Sequence, residues 1–345
     1  MKKALSKIKI ASKADINQDN FWTKLPKPFF VLAPMANVTD SVFRKMLVKY
    51  GKPDIMWTEF VSADGLNSAG KKRLLFDLVY SEKERPIVAQ LFTGDPEEMK
   101  KAATLVAKLR FDGLDINMGC PDRSVEKQGG GSALMKNKKL ALEVLNAARE
   151  GFSFPISVKT RIGYNKIDMD WIQMLLGLRL PALTVHLRTR KEMSDVPAHW
   201  ELMPKIVEMR NSISPETLII GNGDVQSLEH AKEYANKYAC DGIMIGRGFF
   251  GKPWLLNDLI VSRKGSSHVD EKTIKEKLRI LLEHTKLFEK TFCGKKHLKN
   301  FDVMKKHFKA YVSGWDGAKG LRVKLMGAEN AADVGCIIKE YLDIK

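Results

Sequence analysis

A cysteine held between a glycine and a proline, just past a short apolar run, suits proton donation. Cys120 stands in Asn117-Met118-Gly119-Cys120-Pro121, where a constrained turn can aim a side chain from a rigid scaffold. A thiol can give a proton to carbon without a lowered pKa. Cys240, Cys293 and Cys336 read instead as inert small apolar residues. Lys159, at the end of another run, could neutralise negative charge developing on a bound ring, although a strand-end lysine can equally reach solvent. Gln90 can donate and accept at once.

The elements that must position these residues alternate regularly. Short apolar runs occur at Phe29–Ala33, Ile55–Thr58, Ile87–Leu91, Gly113–Asn117, Ile156–Lys159, Ala182–His186, Leu218–Gly221 and Gly242–Ile245. Each is too short for a helix and ends in turn residues, as buried parallel strands do. Helical patterns lie between them, such as Pro96–Leu109 with Asp95 as N-cap and Pro96 at the first position. Eight such units predict an α/β fold, a closed (β/α)8 barrel, with a doubly wound open sheet as the rival. In a barrel the site is built where strands end. Those ends carry Ala33-Pro34-Met35-Ala36, Thr58-Glu59, Gln90, Asn117 to Pro121, Lys159-Thr160-Arg161, His186, Asn222-Gly223-Asp224 and Gly246-Arg247-Gly248.

Glycines after strands seven and eight let backbone N–H groups approach an anion, and Arg247 adds a guanidinium able to grip phosphate. The implied ligand is a phosphorylated cofactor or substrate. No GxGxxG follows the first strand, so a Rossmann nicotinamide site is not indicated. Lys159 and Gln90 would then face the ring end of the cofactor, where a lysine stabilises a reduced flavin and a glutamine matches its pyrimidine edge. The stretch Glu126 to Leu134, with Gly129, Gly130 and Gly131, is either a pliant lid over the barrel mouth or a helix-entry turn.

The chain has 345 residues and a net charge of +17, a field that suits a polyanion better than a small neutral metabolite. Its four cysteines are widely spaced, with no CxxC pair and no Cys/His cluster at zinc spacing, so neither a metal site nor a disulfide framework is expected. Residues Met1 to Ala11 are basic, but no apolar stretch follows, and no long apolar run appears later. A cytoplasmic chain without signal peptide or membrane span is expected. Residues 1–28 read as a polar leader, 29–254 as the barrel and 255–345 as a small helical bundle, broken at Gly265-Ser266-Ser267 and from Gly314 to Gly320. On a helix through 295–312, Lys295, Lys299, Lys306 and Lys309 would form one stripe opposite Phe301, Met304, Phe308 and Tyr311.

The ordered set Ala33-Pro34-Met35-Ala36, Asn117-Met118-Gly119-Cys120-Pro121, Val158-Lys159-Thr160-Arg161-Ile162-Gly163, Val185-His186, Asn222-Gly223-Asp224 and Gly246-Arg247-Gly248 resembles the tRNA-dihydrouridine synthases, which are FMN enzymes. The resemblance covers residues 29–254 closely, and the tail matches the family's RNA-binding domain in placement more than in motif. It implies FMN bound by Pro34, Met35, Ala36, Gln90, Lys159, His186, Asn222, Gly223, Asp224, Gly246 and Arg247, with NADPH or NADH as electron donor. It implies Cys120 as the proton donor, with Asn117 and Arg161 holding the target uracil. Beside that signature, the stripe with Lys299 and Lys306 becomes a surface for tRNA phosphates. A monomer, with tRNA as partner and no membrane, is the expectation. One departure stands out: the family usually shows His-Gly-Arg-Thr and then an aromatic near the place of Ser194, whereas this chain has His186-Leu187-Arg188-Thr189-Arg190 and Met193-Ser194. The rivals are a flavin barrel acting on free pyrimidines, a non-enzymatic RNA-binding module, and an aldolase-type barrel using Lys159 as a Schiff base.

Overall fold

Eight short runs rich in Val, Ile, Leu and Phe form eight parallel strands. They are β1 (Phe29–Leu32), β2 (Met56–Ser62), β3 (Ile87–Phe92), β4 (Gly113–Met118), β5 (Ile156–Arg161), β6 (Ala182–His186), β7 (Leu218–Asn222) and β8 (Gly242–Ile245). The computed structural model describes residues 20–257, 272–294 and 298–343. The strand order is β1-β8-β7-β6-β5-β4-β3-β2. The ring closes where Val31 bridges Ile55, with Leu32 N donating to the Ile55 carbonyl at 3.1 Å and Asp54 N to the Phe30 carbonyl at 2.9 Å. A doubly wound sheet would leave two open edges and reverse its strand order in the middle. The sequential, closed order makes this a (β/α)8 barrel.

The connecting helices follow their local signals. Pro96–Lys108 starts where Asp95 Oδ1 accepts from the N–H groups of Glu97 (2.8 Å) and Glu98 (3.2 Å). It buries Met99, Ala102, Ala103 and Val106 on one face. Strand β2 runs further than the sequence pattern predicts. A register shift between Trp57 and Phe60 lets it continue past Thr58-Glu59 to Ser62, so that pair lies within the strand rather than at its end. One core cluster packs Trp22, Phe29, Val31, Trp57, Val88 and Met244. Trp22 belongs to the stretch read as a polar leader, yet it is 2% exposed. Residues 1–19 lie outside the described residues.

The chain divides into two compact units, Met1–Ala36 with Asp54–Gly246, and Asn37–Pro53 with Arg247–Lys345. The first holds the barrel strands. The second is helical: Ser41–Tyr50, Ile274–Phe288, a π-helical turn Glu289–Cys293, Val303–Tyr311, Ala318–Met326 and Ala331–Asp343. The expected division at 254/255 treats the bundle as a contiguous tail. The helical unit instead includes 37–53, because Val42 and Met46 are buried in one cluster with Leu278, Leu281, Met304 and Phe308. Ala318–Met326 is a helix starting inside the Gly314–Gly320 stretch read as a break, while Gly265-Ser266-Ser267 lies outside the described residues. Among the described residues no helix is long and apolar enough to cross a membrane.

Candidate active site

Strand β4 delivers Asn117 and the turn behind it. Asn117 Oδ1 accepts from the N–H groups of Gly119 (3.1 Å) and Cys120 (2.9 Å), so the turn is tied back onto the strand that precedes it. The Cys120 carbonyl accepts from Ser132 N at 3.0 Å. Cys120 is half-buried, and burial holds its thiol above the ordinary range despite the opposing pull of the Asp122 backbone and of the Lys159 and Arg161 charges. At neutral pH it keeps its proton, which suits an acid and not a nucleophile. The glycine run that follows packs closely. Gly94 N donates to the Gln128 carbonyl at 3.0 Å, and a Cβ on Gly94 would meet Gly129 backbone at 2.8 Å. The run leads through a 3-10 segment, Gly131–Lys136, into the helix Lys138–Gly151, which favours the helix-entry reading over the lid. Gly131 has φ +58°, and a Cβ there would lie 2.7 Å from the Cys120 carbonyl oxygen. Gly131→Ala is therefore expected to cost about 1–3 kcal/mol of stability, read as a lowered denaturant midpoint. An unchanged midpoint would mean the turn relaxes freely.

Two cations stand beside the thiol. Lys159, at the end of β5, is half-buried and makes no hydrogen bond or ion pair with another described residue. Burial, and then the Arg161 charge, lower its pKa to about 8, with Asp115 offsetting part of the effect. Arg161 is 7% exposed, and burial lowers it to about 10. Its Nε donates to the Gly119 carbonyl (3.1 Å), and its Nη1 to the carbonyls of Thr189 (2.9 Å) and Met193 (2.8 Å). Arg161 thus joins the Cys120 turn to the loop after β6. Gln90 is fully buried, and its amide is committed to Asp115 (Nε2 to Oδ2, 2.6 Å) and to Asn117 (Nδ2 to Oε1, 3.0 Å). Among the described residues no carboxylate is bonded to Lys159 or Arg161, a donor set fit for an anionic ligand.

The remaining predicted positions lie on the neighbouring strand ends. Pro34 is buried, Met35 half-buried and Ala36 exposed, just past β1. Gly246 is half-buried after β8, where a Cβ would reach only ordinary contact distance, 3.4 Å, from Ala33 and the Met35 sulfur. Asn222 Nδ2 donates to the Met244 carbonyl at 2.8 Å. Gly223 has φ +137°, and a Cβ there would meet Ala198 at 2.6 Å. His186 Nε2 lies 3.2 Å from Arg188 Nη1. Arg188 Nη2 donates to Asp224, whose same oxygen accepts from Ala198 N at 2.9 Å.

The sequence pattern that defines the dihydrouridine synthase family matches residues 31–343. The chain belongs to the dihydrouridine synthase family. It is 39% identical over 327 residues to a probable tRNA-dihydrouridine synthase of Staphylococcus aureus (strain MRSA252), covering 94% of this chain and 96% of the relative. It is 38% identical over 332 residues to probable tRNA-dihydrouridine synthase 2 of Bacillus subtilis (strain 168), covering 94% and 98%. A solved 6-hydroxypseudooxynicotine amine oxidase from Pseudomonas geniculata N1 has TM-score 0.50 at 13% identity over 69% of this chain. The chain spans 47% of that structure, and the likeness concerns the fold alone.

For a dihydrouridine synthase, an oxidoreductase, the structure also brings forward residues the sequence reading left aside. Arg188, 2% exposed, is the partner of Asp224. Glu126 accepts from Arg190 Nη2 (2.5 Å) and Ser132 Oγ (2.8 Å), joining the glycine run to the loop after β6. Glu192 accepts from Thr189 N at 2.7 Å and meets His199 Nε2 at 3.0 Å. For Arg188, Arg190 and Glu192 the sequence signal is the density of charge just after His186. In the helical unit, Arg247 is exposed at the start of a 3-10 segment, Arg247–Phe249. The helix expected through 295–312 begins only at Val303. Lys299 precedes it, with its side chain 11% exposed, 3.5 Å from Asp40 Oδ2 and over the Phe292 ring. Lys306 is half-buried and Lys309 exposed on the helix, and Lys295 lies outside the described residues.

Proposed function

We propose that the chain reduces specific uridines in tRNA to 5,6-dihydrouridine. The observation that carries this is the geometry of one rim: the Cys120 turn, tied to Asn117 and bonded by Arg161 Nε, beside Lys159 at the neighbouring strand end, with no carboxylate bonded to either cation among the described residues. Family membership and relatives named tRNA-dihydrouridine synthase support it. FMN would be the cofactor; when bound and reduced by NADPH or NADH, it would supply the hydride for C6 of the uracil. Pro34, Met35, Ala36, His186, Asn222, Gly223, Asp224 and Gly246 would hold it at the strand ends. Lys159 lends the positive charge that an electron-rich ring requires. Gln90 would meet the ring edge with the second hydrogen of its NH2 group, while its amide also bonds Asp115 and Asn117.

Cys120 delivers the proton to C5 and is left as a thiolate, which regains a proton from water. With the hydride at C6, this balances a two-electron reduction of the double bond. Asn117 and Arg161 flank the uracil, Arg161 through the Nη2 group not used on backbone carbonyls. The uridine must leave its stack, which costs a few kcal/mol, and the +17 net charge provides phosphate attraction to offset it. The helical unit is the RNA-contacting part, with Lys306 and Lys309 as phosphate contacts and Lys299 as a charge held in place by Asp40. The chain works as a cytoplasmic monomer.

Nucleoside analysis of tRNA from cells lacking and then regaining this gene tests the reading. Dihydrouridine should vanish from a defined position and return. An unchanged dihydrouridine map would overturn it. Purified protein should reduce tRNA and leave free uridine untouched; the reverse preference would mark a barrel acting on free pyrimidines.

A further inference from the structure

A chain of buried side chains runs from the barrel strands to the turn that carries the thiol. Asp115 and Gln90 are 0% exposed and Asn117 is 5% exposed. Gln90 pairs with Asp115 across β3 and β4, and Asp115 with Ser157 across β4 and β5. Ser157 Oγ donates to Asp115 Oδ1 at 2.5 Å, and Gln90 Nε2 donates to Asp115 Oδ2 at 2.6 Å. Gln90 Oε1 accepts from Asn117 Nδ2 at 3.0 Å. Asn117 Oδ1 then accepts from the N–H groups of Gly119 and Cys120.

The direction of this chain is forced from one end. An ionised carboxylate only accepts, so Gln90 must turn its NH2 group toward Asp115. Its carbonyl oxygen is then left for Asn117, whose own NH2 must face back. That delivers the Asn117 carbonyl oxygen to the two backbone N–H groups. Turn either amide over, and donor meets donor or acceptor meets acceptor in a buried place, at about 1–3 kcal/mol for each unmet group. An apolar residue at 115 would remove the element that decides which way round Gln90 sits.

We propose that Asp115 is a positioning residue for the reduction, setting the orientation of Gln90 and Asn117 and, through them, the place of Cys120. This rests on Cys120 being the acid. Asp115 touches neither reacting atom; it acts two amides away. Its burial is unfavourable in itself, raising its pKa to about 6, and the three-link tether is what that burial achieves.

The test compares Asp115→Ala, Asp115→Asn, Asn117→Asp and the double variant Asp115→Asn/Asn117→Asp in the full chain. Two quantities are read: alkylation of Cys120 by iodoacetamide relative to the exposed Cys336, scored by peptide mass spectrometry, and kcat and KM on tRNA. Asp115→Ala should change the labelling ratio at least fivefold and lower kcat at least 30-fold, with KM for tRNA held within threefold. Asp115→Asn should recover most of both, because its carboxamide can accept from Gln90 and donate to Ser157. Asn117→Asp alone gives Gln90 acceptors on both sides and should disturb the ratio. Adding Asp115→Asn lets Gln90 turn round, with the carboxamide now at position 115 donating to it and accepting from Ser157, and should restore the ratio. An unchanged ratio and kcat in Asp115→Ala overturns the proposal, as does equal labelling in Asn117→Asp and the double variant. The latter pair decides the matter if Asp115→Ala does not fold. If the unsubstituted chain makes no dihydrouridine, the proposed function fails, while the labelling ratio still reports on the tether.

Discussion

Cys120→Ala is expected to slow uridine reduction by about 10²–10⁴-fold, the range a positioned general acid contributes. That corresponds to about 2.7–5.5 kcal/mol of barrier. The thiol is half-buried and keeps its proton because burial disfavours the thiolate. Alanine removes the acid and nothing else. The N–H groups of residues 119 and 120 still reach Asn117 Oδ1, and the carbonyl at 120 still accepts from Ser132. The turn, the fold and retention of the proposed flavin should therefore survive. Single-turnover formation of dihydrouridine, with flavin absorbance and the thermal midpoint as controls, measures the effect. A rate within threefold of the unsubstituted chain would remove Cys120 from the role.

The helical unit should lose stability steeply in mild acid. His284 and His307 are both fully buried, their rings 4.7 Å apart, and His307 stacks on Phe250 at 4.9 Å. Among the described residues, His284 Nε2 and both ring nitrogens of His307 lack a hydrogen-bond partner. Burial lowers His284 to about 4 and His307 well below the ordinary imidazole value. Asp40 and Glu283 act to raise His284, while His284, Lys306 and Lys299 further lower His307. Unfolded histidine takes up a proton near pH 6.5, but these folded ones do not. Their contribution is complete above about pH 6.5 and is lost as pH falls toward 4. Each histidine costs about 1.4 kcal/mol per pH unit within that window. Between pH 7.5 and 5.5 the thermal midpoint should fall by about 5–10 °C. His307→Leu, which cannot take a proton, should roughly halve that fall. An identical pH profile in the variant would mean other groups control it.

Much of the barrel was legible because its signals are local. Ala182–His186 and Gly242–Ile245 are strands with the bounds their apolar runs suggest, and Asp95-Pro96 starts a helix as capping chemistry requires. Strand β2 was read short because a register shift cannot be seen in composition. Position on the rim was also legible for Cys120, Lys159 and Arg161. What each side chain touches was not, because those partners come from distant segments. Gln90 reads from sequence as a ring-edge contact, and nothing local shows that its amide also links Asp115 and Asn117, 25 and 27 residues away in sequence. Asp224 reads from sequence as a cofactor ligand, and its bond to Arg188, 36 residues upstream, leaves no local mark. Lys299 fitted a helical stripe by spacing alone, but its helix starts four residues later and Asp40 holds its charge.

The helix Ser41–Tyr50 is made early, yet the helices that cover Val42 and Met46 are made last. On the ribosome, residues 54–246 must be synthesised in between, about 10–40 s of elongation at about 5–20 residues per second. For that interval the apolar face of Ser41–Tyr50 has no partner within its own unit. Nascent chains of this protein should accordingly engage holdase chaperones until the C-terminal helices emerge, and a gene fragment encoding only 247–345 should yield a bundle that lacks one of its own core helices.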